Sequence, residues 1–456
     1  MSKTDESKLA VNGGPKTLEG FEGRAQPKIG VDEFMALAEI WGFSEKAREA
    51  IHDAIAGEDI GGGAWLTRYY NPGRSMVKEM EELVCQLFGV PYVLAVHSGT
   101  SALETAYVAC EVGPGTEVIV PGYTFFATAA AVVSAKAIPV IADIDESLTM
   151  DPADLEKKIT PRTKAIVPVH MVGTNANMDA IMDVANRHGI QVIEDVAQAC
   201  GARFDGKRLG TFGAAGCFSI STYKIVGGGE AGLVMTGDER IYTRAQNHHD
   251  TGACWRPDRY AKERVPGELF CGTNYRLSEL EGAVNYVQLQ KMDALVERFR
   301  TNKARVLAAL RRFEGIAPQR VNDYDGEVGN HLVFFAPTPE GSQRIAAALN
   351  AEGVGAGARG DSRARDWHIF AYWEHILEHK AATVEGCPFT CPYYNVPLPA
   401  YSEDMCPRTL DLLSRAVFVS ISQWWSERDC ALVAEAVNKV LGAFHTEDLA
   451  GRAWRQ

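Results

Sequence analysis

The sequence predicts an α/β fold: a large, mainly parallel seven-stranded sheet covered on both faces, followed by a smaller C-terminal α+β domain. Three observations point there. From about residue 79, short β-branched runs alternate regularly with helical patterns, the signature of a parallel sheet with crossover helices. Beyond about residue 300 the pattern turns mixed and closes on a well-signalled helix. The chain has 456 residues, 46% of them hydrophobic and 23% charged, which is a globular composition with length for more than one core. The expected organisation is an N-terminal arm over 1–75, a large domain over 76–300 and a small domain over 301–456.

In the arm, glycine clusters at Gly13–Gly14 and Gly61–Gly63 flank a helical stretch near 44–56. Strands are expected at 92–97, 117–120, 138–144, 165–170, 191–195, 217–223 and 232–236. Helical patterns fill 101–110, 124–134 and 178–188. A long amphipathic helix starts near Ser278, with Leu280, Ala283, Val284 and Val287 at i, i+3, i+4 and i+7 as its apolar face. Ser426 and Asp429 make a capping-box-like start to the last helix. Its apolar face is Val433, Val437, Val440, Leu441 and Phe444.

Charge and patterning exclude several classes. The 46 basic and 59 acidic residues leave a formal charge of −13, the reverse of a phosphate-backbone binder, so no nucleic acid partner is expected. The most apolar stretch, 118–144, is broken by Pro121, Gly122, Lys136 and Pro139, so no membrane span is expected. From the polar, mixed-charge opening no signal peptide is expected. Ten cysteines lack pairing rhythm and read as reduced thiols of a cytoplasmic protein.

Ligands of open α/β sheets bind beyond the carboxyl ends of the strands, so the residues after each strand carry the functional reading. After the first strand comes Ser98-Gly99-Thr100-Ser101-Ala102-Leu103. It offers hydroxyls and free N–H groups at a helix N-terminus, either an anion site or a plain cap. After the fifth comes Glu194-Asp195-Val196-Ala197-Gln198, an acid that faces a cleft or caps a helix. The segment 218–224 ends in Lys224 and runs into Gly227-Gly228-Gly229-Glu230-Ala231-Gly232. A lysine in a dry strand end can have its pKa lowered, and the neutral amine can form a Schiff base. Gly227 to Gly232 matches a dinucleotide spacing, but the glycines precede a strand instead of opening a helix, so a nicotinamide oxidoreductase is disfavoured. No metal site is expected: Cys387, Cys391 and Cys406 are loosely spaced for zinc, and His248-His249-Asp250 are adjacent in sequence. A phosphate cradle, a strand-end acid and a later lysine together are the parts needed for pyridoxal phosphate.

These motifs resemble the DegT/StrS sugar and aminocyclitol aminotransferases, of pyridoxal phosphate fold type I. The resemblance runs from about Gly13 to Phe444. It also rests on Pro121-Gly122-Tyr123-Thr124-Phe125, Ser219 before the lysine, and Gly272-Thr273-Asn274-Tyr275-Arg276. It implies that Lys224 bonds the cofactor and then carries a proton between substrate and cofactor. Asp195 would pair with the pyridine nitrogen, Gln198 with the ring hydroxyl, and Phe125 would stack on the ring. Thr100, Ser101 and Ser219 would hold the phosphate, joined by Asn274 of a second subunit, which makes a homodimer part of the site. Ala231 departs from the family's usual glycine. A branch with histidine in place of the lysine carries out dehydration; Lys224 favours transamination.

The implied donor is glutamate or glutamine, and the implied acceptor a keto sugar or sugar aldehyde. Arg68-Tyr69-Tyr70, His170-Met171-Val172-Gly173, Asp250-Thr251-Gly252 and Asp366-Trp367-His368 resemble members acting on an octulosonate-type sugar. Arg68, Tyr69, Arg359, Trp367 and His368 are therefore candidate substrate residues. Arg359, Arg363 and Arg365 beside Trp367 either grip an acceptor anion or form a solvated loop. The alternatives are a keto-cyclitol aminotransferase and a cofactor-binding regulatory protein without turnover.

Overall fold

The computed structural model describes residues 5–19, 27–70, 73–252, 265–362 and 364–455. The chain forms two compact units, residues 1–66 and 67–456. In the first, helices Val31–Ile40 and Glu45–Ile55 are the main elements. Ser44 starts the second of them by accepting the Ala47 N–H at 3.3 Å.

The larger unit is built on seven strands: β1 (Tyr92–Val96), β2 (Glu117–Pro121), β3 (Ile138–Ala142), β4 (Thr163–Ile166), β5 (Gln191–Asp195), β6 (Ala215–Ser219) and β7 (Gly232–Thr236). Their order across the sheet is β1-β7-β6-β5-β4-β2-β3. β7 is antiparallel to both its neighbours, and every other pair is parallel. Alternate residues feed two cores. Leu94 and Val96 pack on one face of the sheet, Val93 and Ala95 on the other, which is why these strands read as continuous apolar runs.

Two expected strands end about four residues early. The run expected at 165–170 leaves regular pairing after Ile166, because Pro168 has no N–H to donate. Its carbonyl still accepts the Asp195 N–H at 2.9 Å, and Val169 makes a single bridge to Asp195. The run expected at 217–223 stops at Ser219. Beyond it the chain turns, with the Thr222 N–H donating to Gly229 O and the Lys224 N–H to Ser221 O, both at 2.9 Å. A Cβ at Gly227 would lie 1.9 Å from the Ser221 carbonyl oxygen, so a bare backbone is needed there.

The helix from Ser278 forms over Glu279–Gln290 but presents a different face from the one expected. Glu279, Gly282, Asn285 and Leu289 are buried, while Leu280 and Val287 are 39% and 44% exposed. Packing against the helix Met76–Phe88 decides this. Glu279 accepts the Met76 and Val77 N–H groups at 2.6 and 3.2 Å, capping that helix with a carboxylate. Gly282 permits close approach, since a Cβ there would lie 2.6 Å from Val77 Cγ2.

The second sheet comprises β8 (Ala317–Pro318), β9 (His331–Phe335), β10 (Ala356–Ala358) and β11 (Ala416–Ser420), antiparallel in the order β8-β9-β11-β10. The final helix, Glu427–Phe444, packs on it through Val437 and Leu441. Ser426 and Asp429 cap it reciprocally, and Phe444, expected on its buried face, is 40% exposed. The tail is anchored by Trp454, whose Nε1–H donates to Arg311 O at 2.8 Å and whose ring meets Phe334 edge-on. Among the described residues, no helix is long and apolar enough to cross a membrane.

Candidate active site

The carboxyl ends of β1, β5 and β6 and the start of β7 meet at one edge of the large sheet. Register explains the meeting: Asp195 pairs with Cys217, Ser219 with Gly232, and Gly232 with Val96. Two glycines let the strand ends close up. A Cβ at Gly99 would lie 2.6 Å from Ser219 Cβ, and one at Gly232 would lie 2.1 Å from Ser98 O. Ser98 then starts the helix Gly99–Ala109, its Oγ accepting the Ser101 N–H at 3.1 Å. The first-turn N–H groups of such a helix are available to an anion.

A cleft of about 420 Å³ opens at this edge, lined by Ser98, Thr100, Phe125, Asp195, Gln198, Ser219 and Lys224 among others. Asp195 is 4% exposed. The pleat turns its side chain into the cleft and that of Glu194 to the opposite face, where Glu194 accepts the N–H groups of Gly210, Phe212 and Gly213. Burial raises the pKa of the Asp195 carboxyl above its ordinary value. The Ala197 N–H, the Thr128 hydroxyl and the charges of Lys224 and His170 oppose the rise. The two hydrogen bonds are 3.1 Å from Ala197 N to Oδ1 and 2.8 Å from Thr128 Oγ1 to Oδ2. Gln198 Oε1 accepts the Val172 N–H at 2.9 Å, which fixes the amide and leaves its NH2 as the donating end. Val172 has a φ of +49°, a strained conformation for a β-branched residue, beside the ligand space.

Lys224 departs from its expected setting. It sits five residues past the end of β6, in a turn, and it is partly exposed where a dry strand end was expected. Its amine still belongs to the cleft and acts electrostatically on Asp195. Phe125 is 47% exposed over the cleft, its ring 5.4 Å from that of His368. The segments carrying these two rings are joined by backbone bonds, Thr124 N–H to His368 O at 2.9 Å and Phe126 N–H to Trp367 O at 2.8 Å.

The description of the DegT/DnrJ/EryC1/StrS aminotransferases matches residues 60–359. The chain belongs to that family. It is 39% identical over 271 residues to the L-glutamine:2-deoxy-scyllo-inosose aminotransferase of Micromonospora echinospora, covering 58% of this chain and 63% of that relative. Less than two thirds of that relative's length is therefore spanned. The UDP-N-acetyl-3-dehydro-alpha-D-glucosamine 3-aminotransferase of Acidithiobacillus ferrooxidans is 35% identical over 326 residues, 70% of this chain and 83% of its own. Among solved structures, 3-amino-5-hydroxybenzoic acid synthase superposes with a TM-score of 0.67 at 28% identity, over 83% of this chain and 93% of that one. The fold is pyridoxal phosphate fold type I.

The donor set fits the family's cofactor, pyridoxal phosphate. An anion-receptive helix start closed by Gly99 and Ser219 lies at one end of the cleft. The Lys224 amine and the buried Asp195 carboxylate line the same space.

Other expected DegT/StrS residues lie elsewhere. Ser101 is buried and does not line the cleft; its hydroxyl meets Ser98 Oγ at 2.7 Å and His97 Nδ1 at 2.9 Å. Asn274 is exposed, outside the cleft of its own chain, bridged to Asp250. Arg68 forms a two-pronged buried ion pair with Glu81, which also accepts the Ala95 N–H at 2.9 Å. The Tyr69 hydroxyl meets His249 Nε2 at 2.8 Å. Neither lines the cleft within this chain. Arg68→Met is expected to destabilise the protein by about 3–5 kcal/mol, because it strands the Glu81 carboxylate. Urea unfolding checks this; unchanged stability with a raised KM would point to a substrate role instead.

A second cavity, of about 660 Å³, adjoins the cleft at Met171, Gln198 and His368 and contains Arg359, Arg365, His331 and Gln343. Arg359 is already engaged. It donates to Ala364 O at 2.8 Å and to the Tyr372 hydroxyl, and lies 3.7 Å from Asp366. Arg365 pairs with Glu374. The Trp367 ring packs against Phe126 and His375, so His368 alone of that pair faces the cleft. Arg363 and Cys254 lie outside the described residues. Thr124 and Thr128 are both in the cleft wall; Thr124 stood in the sequence only as part of a motif with no role of its own, and Thr128 not at all, their i, i+4 spacing at a helix start being the available signal.

Proposed function

We propose that this chain is a pyridoxal phosphate-dependent aminotransferase moving an amino group from glutamate or glutamine to a keto sugar or sugar aldehyde. The observation that carries the reading is the convergence of Lys224, Asp195, Gln198 and an anion-receptive helix start on one cleft. The cofactor supplies an electron sink that acidifies the carbon bearing the amino group. Lys224 would hold the cofactor through its amine, and the same amine would carry the proton of that carbon. Asp195 accepts a hydrogen bond from the pyridine nitrogen and keeps it protonated. Gln198 donates to the ring hydroxyl, and Phe125 covers one ring face and excludes water. Thr100 and Ser219 hold the phosphate, while Ser101, whose N–H and hydroxyl both meet Ser98 Oγ, supports the helix start from behind.

The adjoining cavity takes the acceptor, with His368 at its border with the cleft and Arg359 in its wall. Its polar lining suits a hydroxyl-rich, octulosonate-type or nucleotide-linked sugar. The similarity to scyllo-inosose aminotransferases supports a keto-cyclitol as the second reading.

The active unit is a homodimer, and Asn274 completes the phosphate site of the partner subunit. The exposed Leu280–Val287 face supports this, since an apolar helix face of a folded protein seeks a cover. Leu280→Glu combined with Val287→Glu is expected to shift the protein to monomers in analytical ultracentrifugation and remove most turnover. A dimeric, fully active double variant would move the interface elsewhere. The nine free thiols among the described residues suit the reducing cytoplasm.

The deciding experiment is an absorption spectrum before and after excess glutamate or glutamine, without acceptor. A visible band converting to the near-ultraviolet amine form is expected. A protein that stays colourless with pyridoxal phosphate would overturn the reading. Candidate acceptors are then ranked by restoration of the band.

A further inference from the structure

Behind Asp195 lies a pair of buried hydroxyls. Thr128 and Thr124 are each 1% exposed. Thr128 Oγ1 lies 2.8 Å from Asp195 Oδ2, and Thr124 Oγ1 lies 2.7 Å from Thr128 Oγ1. A hydroxyl has one proton to give, so the direction of the chain follows. An ionised Asp195 only accepts; Thr128 must donate to it, and Thr128 must then accept from Thr124. The other contact of the Thr124 hydroxyl, Phe125 O at 3.4 Å, is longer, so the 2.7 Å bond takes its proton. Thr124 is also held by its backbone N–H to His368 O at 2.9 Å, and Thr128 by its carbonyl, which accepts from the Tyr107 hydroxyl at 3.1 Å.

We propose that Thr128 is a positioning residue for Asp195, and that Thr124 orients the Thr128 proton, so that the relay holds the carboxylate ionised and aimed at the pyridine nitrogen. The inference rests on Asp195 being the pyridine partner. Among the described residues, Asp195 has two protein donors, the Ala197 N–H and the Thr128 O–H. Both favour the charged form over the neutral one. Tyr107, Cys217, His170 and Lys224 also act on this carboxylate electrostatically. The Tyr107 hydroxyl is turned to Thr128 O, so among the described residues the hydroxyl bonded to the anion is that of Thr128. Because Thr124 is bonded to the His368 segment, the relay also ties Asp195 to the loop that borders the acceptor cavity.

The test uses the full-length holoenzyme as Thr128→Val, Thr128→Ser and Thr124→Val. Valine matches threonine in shape and removes the donor; serine keeps it. Two readouts are taken: the dissociation constant of pyridoxal phosphate by equilibrium dialysis, and the single-turnover rate of the donor half-reaction at saturating glutamate or glutamine. Thr128→Val is expected to weaken cofactor binding and slow the half-reaction, each by roughly tenfold to a hundredfold, the worth of a hydrogen bond to a charged group. Thr128→Ser is expected to recover most of both, and Thr124→Val to lose severalfold. A Thr128→Val protein that matches wild type in both readouts overturns the relay. Equal losses in Thr128→Val and Thr128→Ser also overturn it, because they track the methyl group and not the donor. If Thr128→Val fails to fold, the comparison of Thr124→Val with wild type decides: equal values overturn the proposal. A wild-type protein that binds no cofactor fails the underlying reading instead, so the two failures are distinguishable.

Discussion

Lys224→Ala is expected to abolish transamination while leaving the fold and the dimer intact. The backbone N–H of Lys224, and not its amine, makes the turn's hydrogen bond to Ser221 O, so alanine preserves the local structure. The residue is partly exposed, and its loss opens no core cavity. On the proposed reading, what disappears is the nucleophile for the cofactor and the base that moves the substrate proton. A positioned proton-transfer group contributes on the order of 10²–10⁴-fold, and loss of the covalent anchor adds to that. The check is a steady-state assay alongside the cofactor spectrum and a sedimentation run. Turnover at the wild-type rate would remove Lys224 from the chemistry.

Asp195→Asn is expected to slow the donor half-reaction by about two orders of magnitude or more, the scale of losing one preorganised electrostatic contact. The substitution is isosteric, and the asparagine has a way to fit. Its carbonyl oxygen accepts the Ala197 N–H, and its NH2 donates to Thr128 Oγ1, whose hydroxyl rotates to accept. The stability cost is therefore small, about 1 kcal/mol. The amide has no negative charge to hold a proton on the pyridine nitrogen, so the electron sink weakens although the site is filled. Stopped-flow absorption with excess donor measures this. An unchanged rate would place the pyridine partner elsewhere in the cleft.

Much of this site was legible in the chain because each part is a local pattern with its own physical reason. The Ser98 cap and the acid at 195 are strand-end features, and strand ends are marked by composition. Gly99 and Gly232 stand where a Cβ would collide with Ser219 and Ser98. Gln191–Asp195, Gly232–Thr236 and Met178–His188 run where the periodicities put them. Lys224 was recognisable by its glycine-rich neighbourhood, although the strand preceding it ends at Ser219. That ending is set by the turn hydrogen bonds to Ser221 and Gly229, which no periodicity encodes.

The arginines and the tyrosine expected to meet substrate illustrate what local pattern cannot reach. Arg68 has the charge to hold an anion but is occupied by Glu81, 13 residues later. Arg359 is turned to Tyr372 and Asp366, and Tyr69 to His249. A cation's availability depends on which acid the fold brings beside it, and that pairing is non-local. The same holds for the helix Glu279–Gln290. Its apolar stripe was visible, yet the buried side is the one with Gly282 and Glu279, because a second helix approaches there and needs both a gap and a cap.

By itself, then, the sequence determined the α/β class and singled out Lys224, Asp195 and Gln198, which the fold brings to one cleft, since helix caps, glycine contacts and hydrophobic period are properties of a few neighbouring residues. Only the tertiary structure decided that Thr128 and Thr124 stand behind Asp195, that Arg68 belongs to Glu81, and that Leu280 and Val287 face outward. Those outcomes depend on which distant segments arrive within hydrogen-bond reach, and they arrive there through the register of β5 and β6 and the packing of helices across the sheet.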